Sequence, residues 1–168
     1  MTTSAAVQPS HEAPALAPCA DALEVLSHGH EQTRALADEC RRFARCVSTD
    51  RGIRQLAETL CRAMHRMAEL EEELFYPAAR AVLTGCNAVA LAELEHATAR
   101  EIIRQMQLAD PCEARYEALV LALTDCVERH ARLEQAELFP RLRESCMDLA
   151  ALGERLSRRQ RELDTPAH

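Results

Sequence analysis

An imidazole and a carboxylate stand four residues apart in His130-Ala-Arg-Leu-Glu134. On a helix this spacing puts both side chains on one face, one turn apart. The face continues backwards as Val127 (with Cys126 beside it), Leu123 and Leu119, so an apolar stripe ends in two side chains that ligate metals. Burying such a pair is costly unless a metal or another partner compensates. A histidine on an apolar face can equally be a hydrogen-bonded core residue, so the pair alone leaves both readings open.

An upstream echo weights the choice towards metal. Glu71-Glu-Glu-Leu-Phe-Tyr-Pro77 parallels Glu134-Gln-Ala-Glu-Leu-Phe-Pro140, each with six steps from the leading Glu to the Pro. Gly29-His30-Glu-Gln-Thr-Arg34 likewise parallels Glu95-His96-Ala-Thr-Ala-Arg100. The chain therefore reads as a duplicated helical hairpin, and a repeat of this kind constrains the architecture.

The elements that must carry these residues are helices at three-and-four spacing. The first is expected from near Asp21 to about Val47, with Leu23, Leu26, His30, Thr33, Ala37, Cys40 and Ala44 on one face. Gly29 interrupts it at a cost of about 1 kcal/mol against alanine. A Ser48-Thr49-Asp50 turn leads to a second helix from about Arg51 to Leu83. Its stripe is Ile53, Leu56, Leu60, Met64, Met67, Glu71 and Leu74, with a bend at Pro77. Gly85 stops it and Asn87 caps the third helix, Ala88 to about Leu108, whose inward face holds His96. Asp110-Pro111 is read as the start of the fourth helix, with Asp110 its cap, running from about Cys112 to Glu144. A shorter amphipathic helix, Leu149 to Leu163, is expected against the outside. The fold class is all-α: an up-down-up-down four-helix bundle at 19–147, preceded by a flexible arm at 1–18 and followed by a C-terminal helix and tail at 148–168. In such a bundle His30, Met67/Glu71, His96 and His130/Glu134 meet at one level.

The composition agrees with helices. Aromatic residues are 3% of the 168, Trp is absent, there are four Gly, and the net charge is −7. No basic face suggests nucleic acid. No apolar run reaches the length of a membrane span, and the N-terminus carries no signal-peptide pattern, which points to a cytoplasmic protein. The eight cysteines show no C-x-x-C spacing. They are read as reduced packing residues, with redox sensing as the other reading. His11 has no spacing partner.

On these marks (His30, His96, His130-x-x-x-Glu134 and the two Glu-to-Pro tails) the segment from about Asp21 to Glu144 resembles the hemerythrin-like, or HHE cation-binding, family. The resemblance implies a four-helix bundle around a non-haem di-iron centre. It implies His96 and His130 on one iron, His30 on the other, and Glu71 and Glu134 as bridges. The family has a histidine four residues before Glu71, where this chain has Met67. Met67 is then a core filler or a weak thioether ligand. His65-x-x-x-Glu69 is a shifted alternative, although its face (Glu58, Arg62, His65, Glu69, Glu72) reads as solvated. The centre is expected to hold one or two irons per chain. The expected function is to bind or sense a small diatomic ligand such as oxygen or nitric oxide, or iron itself. The alternatives are a di-iron oxidase or peroxidase, an iron-donating repair protein, and a metal-free interaction module. No dedicated acid–base group is apparent, because Tyr76 falls more than a turn beyond Glu71, so binding ranks above catalysis.

Overall fold

The computed structural model describes residues 20–45 and 50–165, with no side-chain detail at 45, 50 and 51. The expected arm at 1–18, with His11, and the turn residues Ser48 and Thr49 lie outside the described residues. Among those described there is no strand. The helices are α1 (Ala22–Arg45), α2 (Asp50–Leu70), α3 (Tyr76–Val82), α4 (Ala88–Leu108), α5 (Ala114–Leu133), α6 (Phe139–Arg143) and α7 (Leu149–Asp164). A π-helical turn joins α2 to α3 over Glu71–Phe75, and another joins α5 to α6 over Glu134–Leu138.

The alternation of the bundle follows from pairs between helices. Along α1, Arg34 reaches Glu128 and the later Arg41 reaches the earlier Asp125, so α1 and α5 run antiparallel. Glu95–Arg129 and Gln105–Arg115 set α4 against α5 in the same sense. Glu72–Arg100 and Arg80–Glu93 do so for the α2–α3 arm against α4. These surface pairs set register rather than supplying much stability, since each is worth only about 0–1 kcal/mol. The core supplies that. One apolar cluster, around Leu60, Leu123, Val120 and Ile103, fills the end of the bundle near the α4–α5 connection. Another, around Phe75, Tyr76, Leu138 and Leu156, fills the opposite end under α7.

Local chemistry decides where the helices begin and end. The backbone N–H of Glu24 donates to Asp21 Oδ1, and that of Asp21 donates to Glu24 Oε2, both at 2.9 Å, which is a capping box opening α1. Gly85, at φ 73°, takes the left-handed conformation after α3 that favours glycine. Asp148 caps α7 by accepting from the Ala151 N–H. Two expected caps are corrected. Asn87 precedes α4 without a side-chain capping bond. Asp110 accepts from the Cys112 N–H in a turn, and α5 begins only at Ala114.

At Pro77 and Pro140, where bends are expected, the helix also changes its pitch, and this matters for the site. Each Pro follows a π turn in which an N–H donates five residues back, Tyr76 to Glu71 and Phe139 to Glu134. A proline in an α-helix has no N–H to donate, and its ring clashes with the carbonyl four residues earlier. A widened turn just before it relieves that clash, and it inserts one extra residue into the helix. The buried stripe therefore jumps. After Glu71 the buried side chains are Phe75, Tyr76 and Ala79, with Leu74 only half-buried. After Glu134 they are Leu138, Phe139 and Leu142.

Helix α7 lies along α1, α2 and the first π turn. Gly153 is a point of close approach. A Cβ there would stand 2.7 Å from the Asp21 carbonyl carbon and 2.8 Å from the Ala22 nitrogen. Backbone at a helix start cannot yield as a side-chain tip can. Gly153→Ala is therefore expected to lower stability by about 1–3 kcal/mol, the usual cost of overpacking, read as a lower urea midpoint. An unchanged midpoint would show that α7 is free to slide off α1.

Candidate metal centre

The four bundle helices and their π turns bring together His30 from α1, Glu71 from the end of α2, His96 from α4, and His130 and Glu134 from the end of α5. All five are buried, and both glutamates are wholly so. Glu71 is the hub. Its Oε1 lies 3.2 Å from His30 Nε2. Its Oε2 lies 3.0 Å from His96 Nε2 and 3.2 Å from His130 Nε2. The two oxygens of one carboxylate thus face different imidazoles. Glu134 Oε2 is 3.4 Å from His30 Nε2. His30, Glu71, His130 and Glu134 each offer an atom within 4.8 Å of the others, and His96 joins them through Glu71 Oε2.

His30 Nε2 and Glu71 Oε1 hydrogen-bond, but most of this proximity is not hydrogen bonding. Nε2 of His96, Nε2 of His130 and both oxygens of Glu134 are buried without a hydrogen-bond partner. Each such group left unsatisfied costs about 1–3 kcal/mol. A buried cation at the point they face would satisfy them together, and imidazole with carboxylate is a donor set that suits iron among other transition metals. The residues present therefore fit a metal ion.

Electrostatics gives the same picture. Burial acts to raise the Glu71 pKa, but His130, His30 and His96 override it and hold the carboxyl well below its usual range. Burial and the negative Glu71 push Glu134 well above it. Burial acts to lower His130, but Glu71 and Glu134 overcome it and push the imidazole up to about 9. Without metal the pocket thus favours a proton on Glu134 and on His130 and disfavours one on Glu71.

Groups around the cluster orient it. His96 Nδ1 lies 2.9 Å from Glu72 Oε1. A carboxylate accepts, so Nδ1 carries the proton and Nε2 presents its lone pair to the centre. Arg100 holds Glu72 from the other side. Burial would raise Glu72, but Arg100 and His96 keep its pKa lowered. The Tyr76 O–H donates to Glu71 Oε2 across 3.4 Å. Burial, and then the charge of Glu71, raise the phenol pKa above its ordinary value, so it stays a neutral donor. Phe139 stacks on His30 with ring centroids 5.9 Å apart.

Tyr76 reaches the centre, although its position reads from the sequence as too far beyond Glu71. It lies five residues beyond Glu71, out of phase in an α-helix and in phase across a π turn. The signal was in the sequence as the fixed Glu-to-Pro spacing, and Phe139 holds the matching place after Glu134. Glu72 was read as solvated and instead bonds to a site histidine. His65 does not join the cluster: it is exposed and lines a surface groove with Arg62 and Tyr116. Met67 is buried, lines a small cavity beside His30, His96 and His130, and lays its sulfur against Gly29. A Cβ at position 29 would stand 2.5 Å from Met67 Sδ, so a larger residue there would displace the thioether.

Comparison with known proteins bears on this arrangement. Residues 21–142 match the family model for the hemerythrin HHE cation binding domain. A crystal structure of a hemerythrin HHE cation binding domain-containing protein from Mycobacterium kansasii is similar in fold, with a TM-score of 0.71 at 23% identity, over 86% of this chain and 87% of that one. No curated protein matches the chain.

Proposed function

The chain belongs to the hemerythrin HHE cation-binding domain family, and from that premise we propose that it binds iron at the His30–Glu71–His96–His130–Glu134 cluster and takes a small diatomic ligand such as oxygen or nitric oxide there. The observation that carries this is the Glu71 carboxylate, with one oxygen towards His30 and the other towards His96 and His130. That disposition suits a bridge between two ions, with His96 and His130 serving one and His30 the other. Bound iron supplies redox chemistry and an open position for a ligand. The chain's own residues do the rest. Glu72 fixes the tautomer of His96, Phe139 holds the plane of His30, and Tyr76 keeps a proton within reach of Glu71 Oε2.

Tyr76 also favours a second reading, a di-iron oxidase or peroxidase, because its neutral hydroxyl stands as a hydrogen-bond donor beside the centre. No described helix is long and apolar enough to cross a membrane. Cys40, Cys61, Cys86, Cys126 and Cys146 carry no disulfide, which suits the reducing cytoplasm we assign to the protein.

The test is iron content per chain after loading with ferrous iron, read beside the visible spectrum after exposure to air. Two irons with an oxo-to-iron charge-transfer band are expected, and a protein that retains no iron overturns the proposal. Loading His65→Ala, His96→Ala and His130→Ala variants in parallel assigns the ligands. His65→Ala keeps its iron, whereas the other two lose at least about tenfold in affinity, as loss of a buried ligand does.

A further inference from the structure

A groove of about 520 Å³ opens between α1, α2 and α7. Leu36, Ala63 and Leu70 line its sides, and Gly29, Thr33 and Met67 line it where it is closest to the cluster. Arg66 and Asp164, paired at 3.1 Å, also line it and tie α2 to the end of α7. Beyond it lies a second space, the small cavity of about 10 Å³ among buried residues. The three site histidines, Thr33, Met64 and Met67 line that cavity. It has room for about one water-sized molecule. Thr33 and Met67 are the two residues that border both spaces.

Those two side chains differ in freedom. The Thr33 hydroxyl donates to the Gly29 carbonyl at 2.8 Å and is held in place. Met67 has an unbranched thioether chain with three rotatable bonds, and no polar group fixes it. Its sulfur rests on the bare backbone of Gly29, where any larger residue would displace it. The movable part of the partition is therefore Met67, and the bare glycine gives it a resting place.

We propose that Met67 is the gate on a route from the α1–α2–α7 groove to the metal centre, admitting a small uncharged ligand the size of a diatomic gas. The cavity behind the gate is too small for anything larger, and its lining between the histidines is apolar: Met64, Val127 and Ala131. A charged ligand would leave its hydration shell to enter, which disfavours it. The proposal rests on the metal-centre reading only for what the route serves, not for the route itself.

Two measurements separate these. In the metal-free protein, dissolved oxygen under pressure broadens the methyl resonances of any residue it reaches. Met67→Ala, and Met67→Val as a less disruptive variant, are expected to increase the broadening at Val127 and Ala131. Met64→Ala enlarges the same cavity without opening it to the groove, and is expected to leave the rate of oxygen entry unchanged. In the iron-loaded protein the association rate of nitric oxide should rise about tenfold in both Met67 variants and stay near wild type in Met64→Ala, as for removal of a gate. Equal oxygen access and equal association rates in all four proteins overturn the gate, as does an equal increase from Met64→Ala. If nitric oxide binds to none of them, the metal-centre reading fails, and oxygen broadening still decides the gate.

Discussion

Glu71→Gln is expected to strip the protein of metal, with affinity falling by well over the ~10–100-fold typical of losing an outer partner of a ligand. Glu71 is the one residue that approaches all three site histidines, at 3.0–3.2 Å. The amide keeps its volume and loses its charge. It also turns a donor towards an imidazole nitrogen that must offer a lone pair. The metal-free protein changes too. The ionised Glu71 is the leading influence holding His130 up at about 9. Without that charge His130 sheds its proton rather than remain a buried, unpaired cation, a state that costs about 3–5 kcal/mol. Metal analysis and the His130 titration by NMR check both statements. Glu72→Gln is the comparison: it takes the charge from the acceptor that orients His96 and leaves the hub in place, so the loss there is expected to be no more than about 10–100-fold. Metal content in Glu71→Gln equal to wild type would remove Glu71 from the centre.

Metal loading is expected to tighten steeply with pH and to release protons. His130 is pushed up to about 9, and Glu134 stands well above its usual range. Both are therefore protonated where a ligand must be free of its proton. Below about pH 9, each pH unit should raise apparent affinity by at least tenfold, and by up to about 100-fold while Glu134 also keeps its proton. The signs for the metal-free fold follow from linkage. The raised His130 contributes stability that is fully present below its unfolded value of about 6.5 and is lost as pH rises through 9. The raised Glu134 carboxyl adds a cost that grows as pH climbs above the ordinary carboxylate value. The lowered Glu71 contributes above that value and loses its contribution as pH falls through its own lowered range. The metal-free protein is thus most stable on the acid side of neutrality, and the loaded protein is best formed on the alkaline side. Calorimetric titration in buffers of differing ionisation heat counts the protons. A pH-independent affinity with no proton release would contradict the arrangement.

The residues that repeat were legible in the sequence. His30, His96, His130, Glu71 and Glu134 stood out because each interrupts an apolar stripe at matching places in two hairpins. The stripe is a property of burial, which sequence records directly. Glu72 and Tyr76 were not legible, for two different reasons. Glu72 is half-exposed and is drawn in by Arg100 and His96 from another helix. A pairing between helices leaves no periodic trace. Tyr76 was hidden by phase: counting at 3.6 residues per turn gives the right face up to Glu71 and the wrong one beyond it. Gly29 was visible as an anomaly, but the side chain it faces, Met67, lies on α2.

The paired π turns also bear on how this fold tolerates changes in chain length. Each is in effect a one-residue insertion with a proline beside it. Removing one residue between Glu71 and Pro77 would return the turn to α-helical pitch and leave the Pro77 ring against the carbonyl four residues earlier, with no widened turn to relieve the clash. Tyr76, then four residues beyond Glu71, would keep its face, so the cost would fall on the backbone at the proline. The same deletion between Glu134 and Pro140 would do this at Pro140. In contrast, the connection at 109–113 carries no site residue and has both ends at the surface, so a length change there leaves the phase of every liganding helix intact. Natural variation in length should accordingly collect in such connections and be excluded from the two six-step intervals, even though both kinds of segment contain residues exposed to solvent.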